Sequence, residues 1–239
     1  MEPVEFRRRL HAHPELSFKE HATAAFIEQQ LDELGIEHRR IASTGVVARI
    51  KGRKTPEGDR RAAVLRADID ALPVTERNDC EWRSQNEGVM HACGHDMHAA
   101  VLFGVLKTFA EAPDFRGTLF GLFQPGEEPF EGARAAIADG LLQNPRPQVA
   151  FAMHVNSQSP LGLVLYGSPA LSGVYGFRIT LQGKGGHGSS PEICIDPITA
   201  GVHVHLALQE LISREVPAAK EVALTVGKFA GGLAAHVIP

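Results

Sequence analysis

The hydrophobic pattern changes period several times along the chain. Ala24, Ile27, Leu31 and Leu34 recur at helical spacing, and Gly35 supplies a stop. Ser17 and Glu20 stand three apart ahead of this run as a capping box, so the pattern predicts a helix over residues 18–34. Val46 to Ile50 reads as a strand, closed by a turn rich in glycine, proline and charge (GRKTPEGD). Ala62 to Ala67 is a short apolar strand, with Asp68 and Asp70 directly after it. Residues 78–92 form a polar loop, and HDMHAAVLFGVLKTFAEA (95–112) carries a helical Ala/Val/Leu face. Thr118 to Phe123 is a buried strand with Glu127 and Glu128 just beyond it. Ala133 to Leu142 is a helix, and Val149 to Met153 is a further apolar strand that ends at His154.

Strands alternating with helices predict an α/β sheet. The polar residues of interest follow the carboxyl ends of three strands, the edge where open α/β sheets bind ligands. Asp68, Asp70, Glu127, Glu128 and His154 are therefore expected to converge. From about Ser172 the texture changes. Val174 to Leu181 alternates as a half-exposed strand and ends in GKGGHG, Asp196 caps a helix reaching about Arg214, and Glu221 to Phe229 is a further strand. This unit has its own pattern, which places a domain boundary near residue 170.

Composition narrows the function classes. The 239 residues are 44% hydrophobic and 22% charged, enough to bury a core and against disorder. A net charge of −4 leaves no basic surplus for nucleic acid, and Trp82, Tyr166 and Tyr175 are too few for stacking platforms. MEPVEFRRRL has no apolar signal core, and no stretch reaches the roughly 20 apolar residues of a membrane span. Cys80, Cys93 and Cys194 are too few for a disulfide framework, so a cytoplasmic protein is expected. Histidine is the unusual component, with 12 in all and His91, His95, His98 and His154 falling in one stretch.

The densest chemistry lies in HACGHDMH (91–98). Cys93 and His95 stand two apart just before a helix, where thiolate and imidazole can face one metal ion; the alternative is a helix-capping loop with one buried cysteine. QPGEEP (124–129) sets two carboxylates side by side, able to divide metal binding and proton transfer between them, or to form only a solvated acidic turn. His154 reads either as a ligand or as a structural histidine. Asp68 and Asp70 read as strand-terminating residues, or as carboxylates that orient a ligand imidazole. GKGGHGSSP (183–191) lacks the ending of a phosphate loop, and Ser189 and Ser190 lack a nucleophile elbow; His187 there can present an imidazole to a substrate. Cys93 as a catalytic thiol is a further option, less suited to the carboxylates nearby. A mixed sulfur, nitrogen and oxygen donor set suits zinc, manganese, nickel or cobalt.

Taken together, RRRLHAHPELSFKE (7–20), LRADIDALPVTE (65–76), GVMHACGHDMHAAVLFG (88–104), FQPGEEPFEGA (123–133), AMHV (152–155) and GKGGHGSSP resemble the metal-dependent amidohydrolases of the hippurate hydrolase and N-acyl-amino-acid (aminoacylase) type, the branch that includes indole-acetyl-amino-acid hydrolases. The resemblance spans essentially the whole chain. It implies an α/β, aminopeptidase-like catalytic domain with a dinuclear metal centre (residues 1–170 here) and an inserted α+β, ferredoxin-like lid and dimerisation domain (171–239, in part). It implies Cys93, His95, Glu128 and His154 as metal ligands, Glu127 as general base and Asp70 as the supporting acid. His187 is implied as the lid histidine that reaches the substrate, across a homodimer. The implied reaction is hydrolysis of the amide bond of a small-molecule N-acyl amino acid. His236 stands at a substrate-contacting position where the family usually carries Asn, and the family's last His ligand lies beyond Pro239. A truncated, catalytically incompetent remnant and a Cys93-dependent hydrolase are the competing expectations.

Overall fold

The computed structural model describes residues 1–167 and 173–239. They form two compact units, Met1–Leu163 and Val164–Pro239. The boundary expected near residue 170 falls within 168–172, outside the described residues.

The first unit is built on a five-stranded sheet, β1 (Glu37–Ile41), β2 (Gly45–Lys51), β3 (Ala62–Asp68), β4 (Thr118–Gln124) and β5 (Val149–Ala152), in the order β1-β2-β4-β3-β5. β3 runs parallel to both β4 and β5, while β2 is antiparallel to β1 and β4. The parallel register pairs Asp68 with Gln124 and Arg66 with Ala152, so the chain leaves all three strands at the same edge. That is the convergence the pattern predicts.

Period-2 alternation divides the sheet between two cores. Val46, Ala48 and Ile50 of β2 face one core with Leu119 and Phe123 of β4, under α1 (Pro3–Ala12), α2 (His21–Glu33) and α3 (His95–Glu111). Val47, Val64, Phe120 and Leu122 face the other, under α4 (Gly132–Ala138). β4 sits between β2 and β3 and is buried along its whole length.

The helix expected over Ala133 to Leu142 runs only from Gly132 to Ala138, and three further elements differ from the expectation. α1 is absent from it, because Arg7, Arg8 and Arg9 mask the buried pair Phe6 and Leu10. Glu2 and Glu5 cap this helix reciprocally with Pro3 at its start, and Phe6 stacks on Phe103 with ring centroids 4.4 Å apart. β1 is also absent from it, since EHRRI buries only Ile41 fully. The helix predicted from residue 18 begins at His21, and its capping box does not form. Ser17 Oγ instead donates to Asp70 Oδ2 (2.7 Å), and the Glu15 carboxylate accepts from the N–H groups of Ala22 and Thr23.

In the second unit, α5 (Pro197–Arg214) follows the predicted cap, with the Asp196 carboxylate accepting from the Ile198 N–H (2.9 Å). β6 (Gly186–His187) pairs antiparallel with β7 (Val237–Ile238). The strands predicted over Val174–Leu181 and Glu221–Phe229 are not formed; those residues enter no ladder among the described residues. Val174 and Phe177 are exposed there, while Leu181 and Phe229 lie against Gly201 of α5. No described helix is long and apolar enough to cross a membrane.

Candidate metal centre

The site lies at the edge where β3, β4 and β5 end. β3 delivers Asp68 and, two residues on, Asp70; both are buried. α3 begins immediately beside them and carries His95 and His98 on one face, while the loop before it carries Cys93. Gly94 joins loop to helix at φ +85°, and a Cβ there would lie 2.5 Å from Val155 Cγ2. A side chain is thus excluded both by backbone conformation and by space. The turn after β4 carries Glu127 and Glu128. Glu20, wholly buried, holds that turn by accepting from the Gly126 N–H (2.9 Å) and from Thr44 Oγ1 (2.5 Å).

His95 is the hub. Its Nδ1 lies 2.9 Å from the Asp70 carbonyl oxygen and 3.1 Å from Asp70 Oδ1, which directs Nε2 into the site. The Nε2 atom is buried without a hydrogen-bond partner, 3.8 Å from both Glu127 Oε2 and Glu128 Oε1. Glu128 Oε1 is likewise buried and unpartnered. Donor atoms of Cys93, His95 and His154 lie within 4.8 Å of one another, as do those of His95, Glu127 and Glu128. Cys93 Sγ is 3.5 Å from His154 Nε2, whose Nδ1 faces the Val155 carbonyl oxygen at 2.7 Å. Orphaned imidazole and carboxylate atoms aimed at one point are costly unless something completes them. A divalent cation does so, and the residues present fit one.

The electrostatics agree. Burial pulls the Asp70 pKa upward, but hydrogen bonds from His95, Ser17 and the Glu128 N–H outweigh it and hold it down to about 2. Asp70 is therefore an anion that orients His95, the carboxylate–imidazole pairing found behind metal ligands. Burial and the Glu128 and Glu127 carboxylates push the Cys93 thiol up to about 11, so a neutral thiol stands there until a cation offsets the negative charge. Burial and Glu127 also raise Glu128.

The structure thus brings Asp70, Cys93, His95, Glu127, Glu128 and His154 together. His187 and His236 belong to the second unit. There, Ser189 Oγ and Ser189 N lie 2.8 and 3.2 Å from His187 Nδ1, and the His236 carbonyl oxygen accepts from the Gly188 N–H, which sets the two motifs side by side. Sequence reasoning read Ser17 and Glu20 only as a helix cap and His98 only as part of the histidine-rich stretch, and gave none of the three a role in the site. The His95/His98 spacing of three, one helical face, is the signal that finds His98. Asp68, His95 and His98 also form a close donor group, but His98 has both nitrogens engaged, with Asp68 and with the Val155 N–H.

Fold and cluster define a class: an α/β protein with sulfur, nitrogen and oxygen donors at the carboxyl edge of its sheet. Residues 64–227 match the Peptidase family M20/M25/M40, and the chain belongs to that family. It is 40% identical to an N-acyl-L-amino acid amidohydrolase of Geobacillus stearothermophilus, over 99% of this chain and 63% of that protein. It is 40% identical to an N-acetyl-L-cysteine deacetylase of Bacillus subtilis, over 99% and 56%. It is 38% identical to the IAA-amino acid hydrolase ILR1-like 4 of Arabidopsis thaliana, over 99% and 53%. The chain therefore spans between half and two thirds of the length of these relatives. Among solved structures, it superposes on a Bacillus subtilis dinuclear metal-binding peptidase of the M20 family with TM-score 0.63 and 39% identity, covering 67% of this chain and 44% of that one. A Staphylococcus aureus protein described as an aminohydrolase gives TM-score 0.74 and 36% identity, covering 99% and 63%.

Proposed function

We propose that this chain carries the principal metal-binding part of a hydrolase that cleaves the amide bond of N-acyl amino acids. The observation that carries the reading is the buried, unpartnered Nε2 of His95 facing two carboxylates, with the Cys93 thiol and the His154 imidazole closing the same space. Cys93, His95, Glu128 and His154 would hold divalent cations, two in the intact site, with zinc, manganese, nickel and cobalt all suited to the donors. Such cations supply Lewis-acid polarisation of the amide carbonyl and acidify the attacking water.

The chain's own residues do the rest. Glu127 Oε2 takes a proton from the water as its oxygen bonds to the carbonyl carbon. Glu127 then delivers that proton to the amide nitrogen as the C–N bond breaks, and the second water proton follows from the new carboxyl group, leaving a carboxylate and an ammonium group. Asp70 keeps His95 oriented throughout. In the proposed homodimer, His187 of the neighbouring subunit donates to the developing oxyanion, and Ser189 against its Nδ1 leaves Nε2 as the outward nitrogen. His236, next to Gly188 in the same unit, is the further candidate for a substrate contact. The relatives' activities on acylated and acetylated amino acids support this substrate class. The second unit as part of a lid, a homodimer formed through it and a cytoplasmic location complete the proposal.

The Cys93-nucleophile and inactive-remnant readings are not favoured. The neutral Cys93 thiol is a poor nucleophile, and the relatives bear the names of amidohydrolases and deacetylases. The test combines elemental analysis with benzoate release from hippurate. Stoichiometric metal is expected, lost in Cys93→Ala and His154→Ala. Glu127→Gln should keep its metal and lose turnover by about 100-fold or more. A protein that takes up no metal at any concentration sinks the site assignment.

A further inference from the structure

The loop that carries His154 leaves an edge strand, and His154 itself is exposed. Something must fix it for its imidazole to stay on the cluster. His98 is placed to do this. It is 1% exposed, one turn into α3, and its ring stands edge-on to the His154 ring with centroids 4.6 Å apart. Its Nε2 lies 3.0 Å from the Val155 backbone nitrogen, whose N–H can only donate. Nε2 must therefore present its lone pair, and the proton sits on Nδ1, which donates to Asp68 Oδ1 at 2.5 Å. Asp68 is held in turn by Arg66 (2.8 Å), and Arg66 Nε donates to Gln124 Oε1 (2.9 Å). A chain of side chains rooted in β3 and β4 thus ends on the backbone of the residue after His154. The bare Cα of Gly94 lets Val155 come down onto the start of α3.

We infer that His98 is a positioning residue for His154: its neutral, Nδ1-protonated ring clamps the Val155 N–H and aims the His154 imidazole at the metal site, with Asp68 fixing the tautomer. His98 is not itself a ligand, since neither nitrogen is free. This rests on the proposed ligand role of His154, and the experiment separates the two.

Two substitutions dissect the clamp. In His98→Asn the amide nitrogen can replace Nδ1 towards Asp68, but no acceptor reaches Val155. In His98→Gln the amide oxygen can reach the Val155 N–H. Cobalt(II) is titrated into the full chain against a competing chelator, following d–d and thiolate-to-cobalt absorption, with His154→Ala alongside. Amide hydrogen exchange is measured on the metal-free proteins. His98→Asn is expected to weaken cobalt binding about 10–100-fold, in the range for residues that support metal ligands. It should speed exchange at the Val155 amide while amides of β4 stay protected. His98→Gln should restore most of both. Unchanged affinity in His98→Asn, with His154→Ala weakened, overturns the positioning role. So does equal weakening of both His98 variants with exchange faster throughout β4. Unchanged affinity in His154→Ala overturns the ligand role and the inference with it.

Discussion

Glu20 carries a side chain usually found in water, yet it has no exposed surface. Its two oxygens are divided between Thr44 and the Gly126 N–H, so it ties the start of α2 to the turn bearing Glu127 and Glu128. Glu20→Ala leaves both partners buried and unmatched, a cost of about 1–3 kcal/mol for each unsatisfied group. Glu20→Gln keeps an acceptor for Gly126 and should lose less; denaturant titration of the two variants checks the order. His11 makes a second prediction. It is buried between Asp96 Oδ2 (2.8 Å) and Glu76 Oε1 (3.0 Å), with Arg7 also on Asp96. Its hydrogen bond to Asp96 and the Glu76 contact raise its pKa against the opposing effects of burial and Arg7. The folded chain then holds this proton more tightly than the unfolded one. Its contribution to stability is complete below about pH 6.5 and falls away as pH rises through the folded value. The stability gap between wild type and His11→Gln should narrow as pH is raised, measured by denaturation at a series of pH values.

At the scale of elements, the helices on the first core meet one another through aromatic contacts. Phe103 of α3 is 1% exposed and stacks on Phe6 of α1. Phe103→Ala should cost about 3–5 kcal/mol, read from chemical denaturation, because neither helix can collapse onto the gap without leaving the sheet. Elements with a clean apolar period were legible from sequence: α3, β3, β4 and β5 lie within a residue or two of the pattern. α1 and β1 were not, because their charged residues are exposed and few apolar positions carry the packing. The strands expected in the second unit did not form, although Leu181 and Phe229 reach Gly201 of α5. Alternation states which face a strand would bury and not which strand it pairs with. Ser17 and Glu20 show a local motif overridden by distant partners, Asp70 for Ser17 and Thr44 with Gly126 for Glu20.

At the scale of the whole molecule, the candidate donors Cys93, His95, Glu127, Glu128 and His154 all lie within Met1–Leu163, the first compact unit. A chain ending at Leu163 should therefore bind cobalt(II) with the affinity of the 239-residue chain, as measured by the same competition titration. The cluster was legible because parallel strands deliver their exits to one edge, and residues just past three strand ends were already the chemically apt ones. The residues that brace it were not legible. Their roles depend on which distant backbone group each side chain meets, as His98 meets Val155, and no sequence spacing encodes that.

The pairing of β3 with β5 also has a kinetic consequence. Cys93 and His95 are assembled by local structure at the start of α3, but His154 arrives only when β5 docks on the far side of β3. Closing so long a loop is slow compared with forming a helix. Tight metal capture during refolding is therefore expected only once β5 has docked, which cobalt(II) absorption followed by stopped flow would show.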